Sequence, residues 1–179
     1  MKSTHFATAA VVALLCQTAR VAAQETARVP VSPDSKLWIE GTSNLHSWSC
    51  KAETVDAEID LDAAAAAQMS TAAPTAVKRV LVKVPVKSLK CGHGAMDDNL
   101  YKALNADATP DISYILGTFE AAPGAVPDSF TLHTVGTLTV AGKENKVTID
   151  VEATRMPDGS VKAKGVVPIK MTDYGIKPP

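Results

Sequence analysis

Aromatic residues are scarce in this chain. Two Trp, three Tyr and three Phe make up 4% of its 179 residues, although 46% of the chain is hydrophobic. Any core must therefore rest on aliphatic side chains. Charge of one sign is also lacking: 18 basic and 19 acidic residues give a formal net charge of −1. That balance excludes the basic surface of a protein that reads nucleic-acid backbones. No apolar run reaches the roughly 18 to 20 residues of a membrane-spanning helix. There is no G-x-S-x-G turn to present a nucleophilic serine. The hydrophobic and charged fractions exclude a wholly disordered chain. Cysteine is confined to Cys16, Cys50 and Cys91.

What is present begins with an export pattern. Lys2 precedes the apolar stretch 6–16, FATAAVVALLC, and Val21-Ala22-Ala23 places small residues at the positions a signal peptidase requires. Leu15 is too bulky for the residue before a lipidated cysteine, so Cys16 is not read as an anchor. Cleavage after Ala23 leaves residues 24–179 as a single domain. All 19 acidic residues stay and Lys2 and Arg20 go, so the net charge moves to −3. Two cysteines and three histidines remain. The expected compartment is the periplasm or the exterior.

The mature chain reads as short alternating strands. Leu37 and Ile39 begin one, with a bend or bulge expected at Gly41 and a return toward Trp48. Val55, Ala57, Ile59 and Leu61 alternate with acidic residues, the pattern of a half-buried strand. The alanine-rich stretch 63–76 carries Pro74 and no apolar stripe beyond alanine, which marks a surface connection. Val80, Val82, Val84 and Val86 share one parity, and Pro85 points to an edge strand or a bulge because it lacks a backbone donor. Residues 97–105 read as a short helix with Leu100 and Leu104 on one face, started by Asp97 or Asp98 and ended by Asn105. Ile112, Tyr114 and Leu116 alternate next, followed by Phe130 and Leu132, with Gly136 expected to break that strand. Ala141-Gly142 and Pro157-Asp158-Gly159 lie in hairpin connections. Successive hairpins exclude βαβ units and leave an antiparallel barrel or sandwich.

Five segments carry a resemblance to a known family. They are SKLWIEGTSNLHSWSC (35–50), SLKCGHGAMDDNLYKALN (88–105), 107–114, GTLTVAGKENKVTID (136–150) and KMTDYGIKPP (170–179). In this order and spacing the chain resembles the YceI-like family, described as polyisoprenoid-binding and lipocalin-like. Its cysteine-containing opening and alanine-rich connection differ from the commoner pattern. The resemblance implies an all-β fold, an elongated antiparallel lipocalin-like barrel of about eight strands with one inserted helix. It implies an apolar interior that holds an isoprenoid or other long-chain lipid, and no enzyme reaction. No separate cofactor is expected. The expected partner is an apolar small molecule, without nucleic acid or a membrane span. Monomer and homodimer both stay open.

Such a pocket needs a continuous apolar lining with one or two polar points. Val80, Val82, Val84, Ile112, Tyr114, Leu116, Phe130 and Leu132 are the candidates for it. Parity assigns them to an inward face, and a packed core satisfies that assignment as well as a cavity does. Cys50 and Cys91 are expected to pair in an oxidising compartment, closing a loop of about 42 residues. The alternative is a metal or redox site from His46, Cys50, Cys91 and His93, whose spacings are not those of a recognised zinc motif. A ligand-free structural barrel and an enzyme acting on a quinone or isoprenoid precursor are further alternatives. His46 beside Ser47 reads as a turn residue, His133 as solvent-exposed, and Asp97 and Asp98 as helix-start residues. No catalytic set emerges.

Overall fold

Valine, isoleucine and threonine at alternate positions favour extended backbone, because branching at Cβ packs well on a pleated surface. In the computed structural model, which describes residues 26–42, 47–63 and 76–178, these stretches form ten strands. The predicted signal segment, His46 and most of the alanine-rich connection lie outside the described residues. The strands are β1 (Thr26–Val29), β2 (Trp38–Thr42), β3 (Ser47–Ala52), β4 (Asp56–Asp62) and β5 (Val77–Pro85). They continue with β6 (Leu89–Lys90), β7 (Asp111–Pro123), β8 (Ser129–Val140), β9 (Lys143–Arg155) and β10 (Val161–Gly165). One helix, α1 (Gly94–Ala103), lies between β6 and β7, and 3-10 turns occupy Val86–Ser88 and Met171–Tyr174.

Seven strands pair in the order β1-β4-β5-β7-β8-β9-β10, and β2-β3-β6 form a second, small sheet. Every pairing is antiparallel. The large sheet curls without fully closing, because β1 and β10 stand at its two edges and are not hydrogen-bonded to each other. The fold is a lipocalin-like half-barrel. The expectation of one barrel of about eight strands is corrected to that extent. The two-residue β6 and four-residue β1 are too short to show periodicity.

Three local expectations also change. Gly41 does not bend its strand: β2 runs through it, and the Trp48 ring of β3 covers the space a Cβ would take. Gly136 does not break β8, which continues from Ser129 to Val140; the irregularity falls across from it in β7, between Leu116 and Thr118. Pro85 does not mark an edge, because β5 lies between β4 and β7. It ends that interior strand, and Val86 leaves the strand face for a 3-10 turn.

The helix begins at Gly94, earlier than the sequence pattern indicates, since its glycine-rich start conceals helical propensity. Asp97 is not the cap. Its carboxylate accepts the Cys91 backbone N–H at 2.7 Å. At the other end Asn105 adopts φ 52°, and the single Thr109 hydroxyl proton is shared between the Leu104 and Asn105 carbonyls, each 3.0 Å from Oγ1. Orphan carbonyls of the last turn are met by backbone N–H groups: Leu104 donates to Leu100, Asn105 to Lys102 and Ala106 to Tyr101. The β8–β9 hairpin turns on Ala141 and Gly142, with φ 49° and 74°. Positive φ at both positions is the signature of a type I′ turn.

Candidate functional site

Directly opposed residues in an antiparallel ladder share one face. Val82 opposes Tyr114, which opposes Leu138; Val84 opposes Ile112. Leu116 opposes Gly136, and Val80 keeps the parity of Val82 along β5. Leu132 and Phe130 keep the parity of Leu138 along β8. All eight residues chosen from sequence parity therefore lie on one face of the large sheet, its inner face.

That face is not uniform. At one end Val84 (1% exposed), Leu138 (9%) and Val140 (4%) are buried in a single cluster with Val86, Leu89, Leu104, Ala106, Tyr174 and Ile176. Val82, Ile112 and Tyr114 pack against this cluster, as do Leu100 and Tyr101 of α1. The helix is pinned there by the Tyr101 hydroxyl, which donates toward the Leu89 carbonyl at 2.8 Å and accepts from Lys90 at 2.9 Å. Cys50 and Cys91 form a disulfide beside it and tie β3 to the chain entering the helix.

Toward the other end this cluster ends, although Ala153, opposite Phe130, is still buried at 2% exposure. Val80, Leu116, Phe130 and Leu132 are half-buried and belong neither to the cluster nor to the side chains packed against it. The register adds residues that parity alone missed. The bulge at Gly117 reverses the alternation of β7, so Phe119 opposes Thr134 and joins the inner face. Ile149 and Val151 oppose Thr134 and Leu132 from β9. All three are half-buried. Val161 of β10, opposite Arg155, is 45% exposed. The glycine between Leu116 and Thr118 was the available sign of the reversal.

One polar chain crosses the boundary between the two ends. The Tyr114 ring lies over Gly136, where a Cβ would fall 2.5 Å from the ring and its hydroxyl. The Tyr114 hydroxyl donates to Thr134 Oγ1 at 3.1 Å, and Thr134 donates to the Ile149 carbonyl at 2.8 Å. Thr134 is 6% exposed, so its hydroxyl would be costly to leave unpaired. In the packed end, burial pushes the Tyr174 phenol up in pKa. The Tyr174 hydroxyl makes no hydrogen bond among the described residues.

The remaining candidates separate in space. Both sulfurs of the proposed metal set are held in the disulfide, which leaves no thiolate to ligate. His93 stands exposed at the start of α1. His133 is exposed on the outer face, as expected, and its Nδ1 lies 2.7 Å from Asp150 Oδ1. A solvent-open groove of about 580 Å3 runs beside Val31, Ser32, Glu53, Asp56 and Lys83. Its lining is largely polar and includes none of the eight predicted ligand residues.

A model of the YceI-like domain matches residues 34–178. The chain belongs to the YceI-like family. The fold is similar to that of BcnA of Burkholderia cenocepacia, with TM-score 0.58 and 16% identity over 78% of this chain and 79% of that one. The YCEI protein of Campylobacter jejuni gives TM-score 0.51 and 20% identity over 76% and 74%. Among curated proteins none matches. YceI-like proteins are ligand-binding and non-catalytic. No helix among the described residues is long and apolar enough to cross a membrane.

Proposed function

We propose that this YceI-like protein holds a long apolar molecule, isoprenoid-like in shape, along the open half of its inner face. Its role is storage or carriage in the periplasm, as one domain freed by cleavage after Ala23. The observation that carries this reading is the half-buried stripe of Leu116, Phe119, Phe130, Leu132, Ile149 and Val151 beyond the packed cluster. An apolar chain laid there would cover side chains that the incomplete barrel leaves accessible. Val80 extends the stripe toward β4, while Val82, Val84 and Ile112 serve as its packed floor.

The energetics suit a long ligand. Each methylene removed from water contributes about 0.8 kcal/mol. Ten such groups would offset a large part of the roughly 4 to 15 kcal/mol lost in immobilising the partner. Selectivity should follow length and shape more than headgroup chemistry.

Native extraction followed by mass spectrometry tests the proposal. The expected result is a chain starting at Gln24 that carries an apolar molecule. Protein that emerges empty and takes up no long-chain lipid would favour a ligand-free structural barrel.

A further inference from the structure

Two polar groups bound the apolar stripe: Arg155 shares the parity of Ile149 and Val151 at its outer end, and the Tyr114 hydroxyl sits at its inner boundary. The direction of the hydrogen bonds there is fixed by elimination. The Ile149 carbonyl can only accept, so Thr134 must give it its proton. Thr134 Oγ1 then has only lone pairs to offer Tyr114, which must donate its own proton in turn. The Tyr114 oxygen is left with lone pairs and no proton to give. Gly136 holds it in that position by letting the ring lie against the strand.

From this arrangement we infer that Tyr114 Oη selects a ligand that donates a hydrogen bond: a long-chain alcohol in preference to an ether, ester, ketone or carboxylate of similar length. This inference rests on the apolar-ligand reading and adds the polar chemistry that accompanies the chain. An acceptor-only headgroup would face the Tyr114 lone pairs with no proton between them, leaving both partly desolvated and unpaired. An alcohol supplies the missing proton. Thr134 is a positioning residue: it acts on the ligand by committing the Tyr114 proton.

Calorimetric titration of geranylgeraniol and its methyl ether into the full chain, wild type and two variants, tests the inference. The wild type should favour the alcohol by roughly two- to tenfold, the range of one net hydrogen bond. Tyr114→Phe should abolish the preference by weakening the alcohol while leaving the ether unchanged. Thr134→Val frees the Tyr114 proton to turn toward the ligand, so ether binding should improve and the preference should collapse. A purely structural tyrosine would move both ligands together in each variant. A preference that survives Tyr114→Phe, or equal binding of both ligands to the wild type, overturns the inference and leaves the cavity reading standing. Failure of both ligands to bind overturns both readings.

Discussion

Leu138 and Leu132 lie on the same strand and the same face, yet their surroundings differ. Leu138 is enclosed by the cluster that α1, the C-terminal turn and the small sheet build over one end of β8. Leu132 lies beyond that cover and stays half-buried. The same alternating pattern thus serves two purposes. Where other elements land on the sheet it becomes core, and where none of the described residues lands it remains a partly exposed apolar surface. The packed end supplies the rigidity that a site in the open end requires.

The largest test of this division is the disulfide. Reduction of Cys50–Cys91 releases a closure spanning a sequence separation of 41. Chain-entropy reasoning gives a loss of about 4 kcal/mol, seen as a lower urea midpoint. Apolar-ligand affinity of the molecules that stay folded should be unchanged, because the bond lies at the packed end. A large loss of affinity under those conditions would mean the two ends are not separate.

Next in size is the paired truncation on β8. Leu138→Ala should cost about 3 kcal/mol in urea denaturation, as expected for a cavity in a packed cluster. Leu132→Ala should cost only about 1 kcal/mol, since a partly exposed side chain loses less on truncation. Equal costs would erase the distinction.

Gly136→Ala probes the boundary. The added methyl collides with the Tyr114 ring, and overpacking of this kind costs about 1 to 3 kcal/mol. The Tyr114 hydroxyl should leave Thr134, with a changed tyrosine environment in near-ultraviolet circular dichroism. Unaltered spectra and stability would show that the ring does not lie over Gly136.

The smallest effect concerns pH. Lys87 Nζ lies 2.8 Å from Asp107 at the packed end, and the ammonium holds that carboxyl below its ordinary value of 3.8. A lowered folded pKa means the pair contributes above the unfolded value and loses its contribution as pH falls through the folded one. Both groups are exposed, so the gain is small and salt-sensitive. Asp107→Asn should slightly flatten the acid limb of a stability–pH curve and leave ligand uptake unaltered.

Much of this architecture was legible in residues alone. The period of two placed all eight candidate residues on one face, because side-chain direction in a strand follows directly from position. The Ala141-Gly142 hairpin was legible because its turn needs residues that tolerate positive φ. Phe119 was missed because a single extra residue at Gly117 reverses parity, and nothing in a local window says which strand carries the bulge. Pro85 was misread because its missing donor is equally harmless at the end of an interior strand. The split of the inner face was hidden for a different reason. Burial of Leu138 depends on Leu104, Tyr174 and Ile176, distant in sequence and brought over it only by the tertiary fold.

The division is tested most directly by native mass spectrometry of the extracted wild type beside Leu132→Glu, with circular dichroism to monitor the fold. A retained apolar molecule is expected in the wild type, and its loss from Leu132→Glu while the β-sheet signal persists. Equal retention by both proteins, or an empty wild type that takes up no long-chain lipid, would contradict that division.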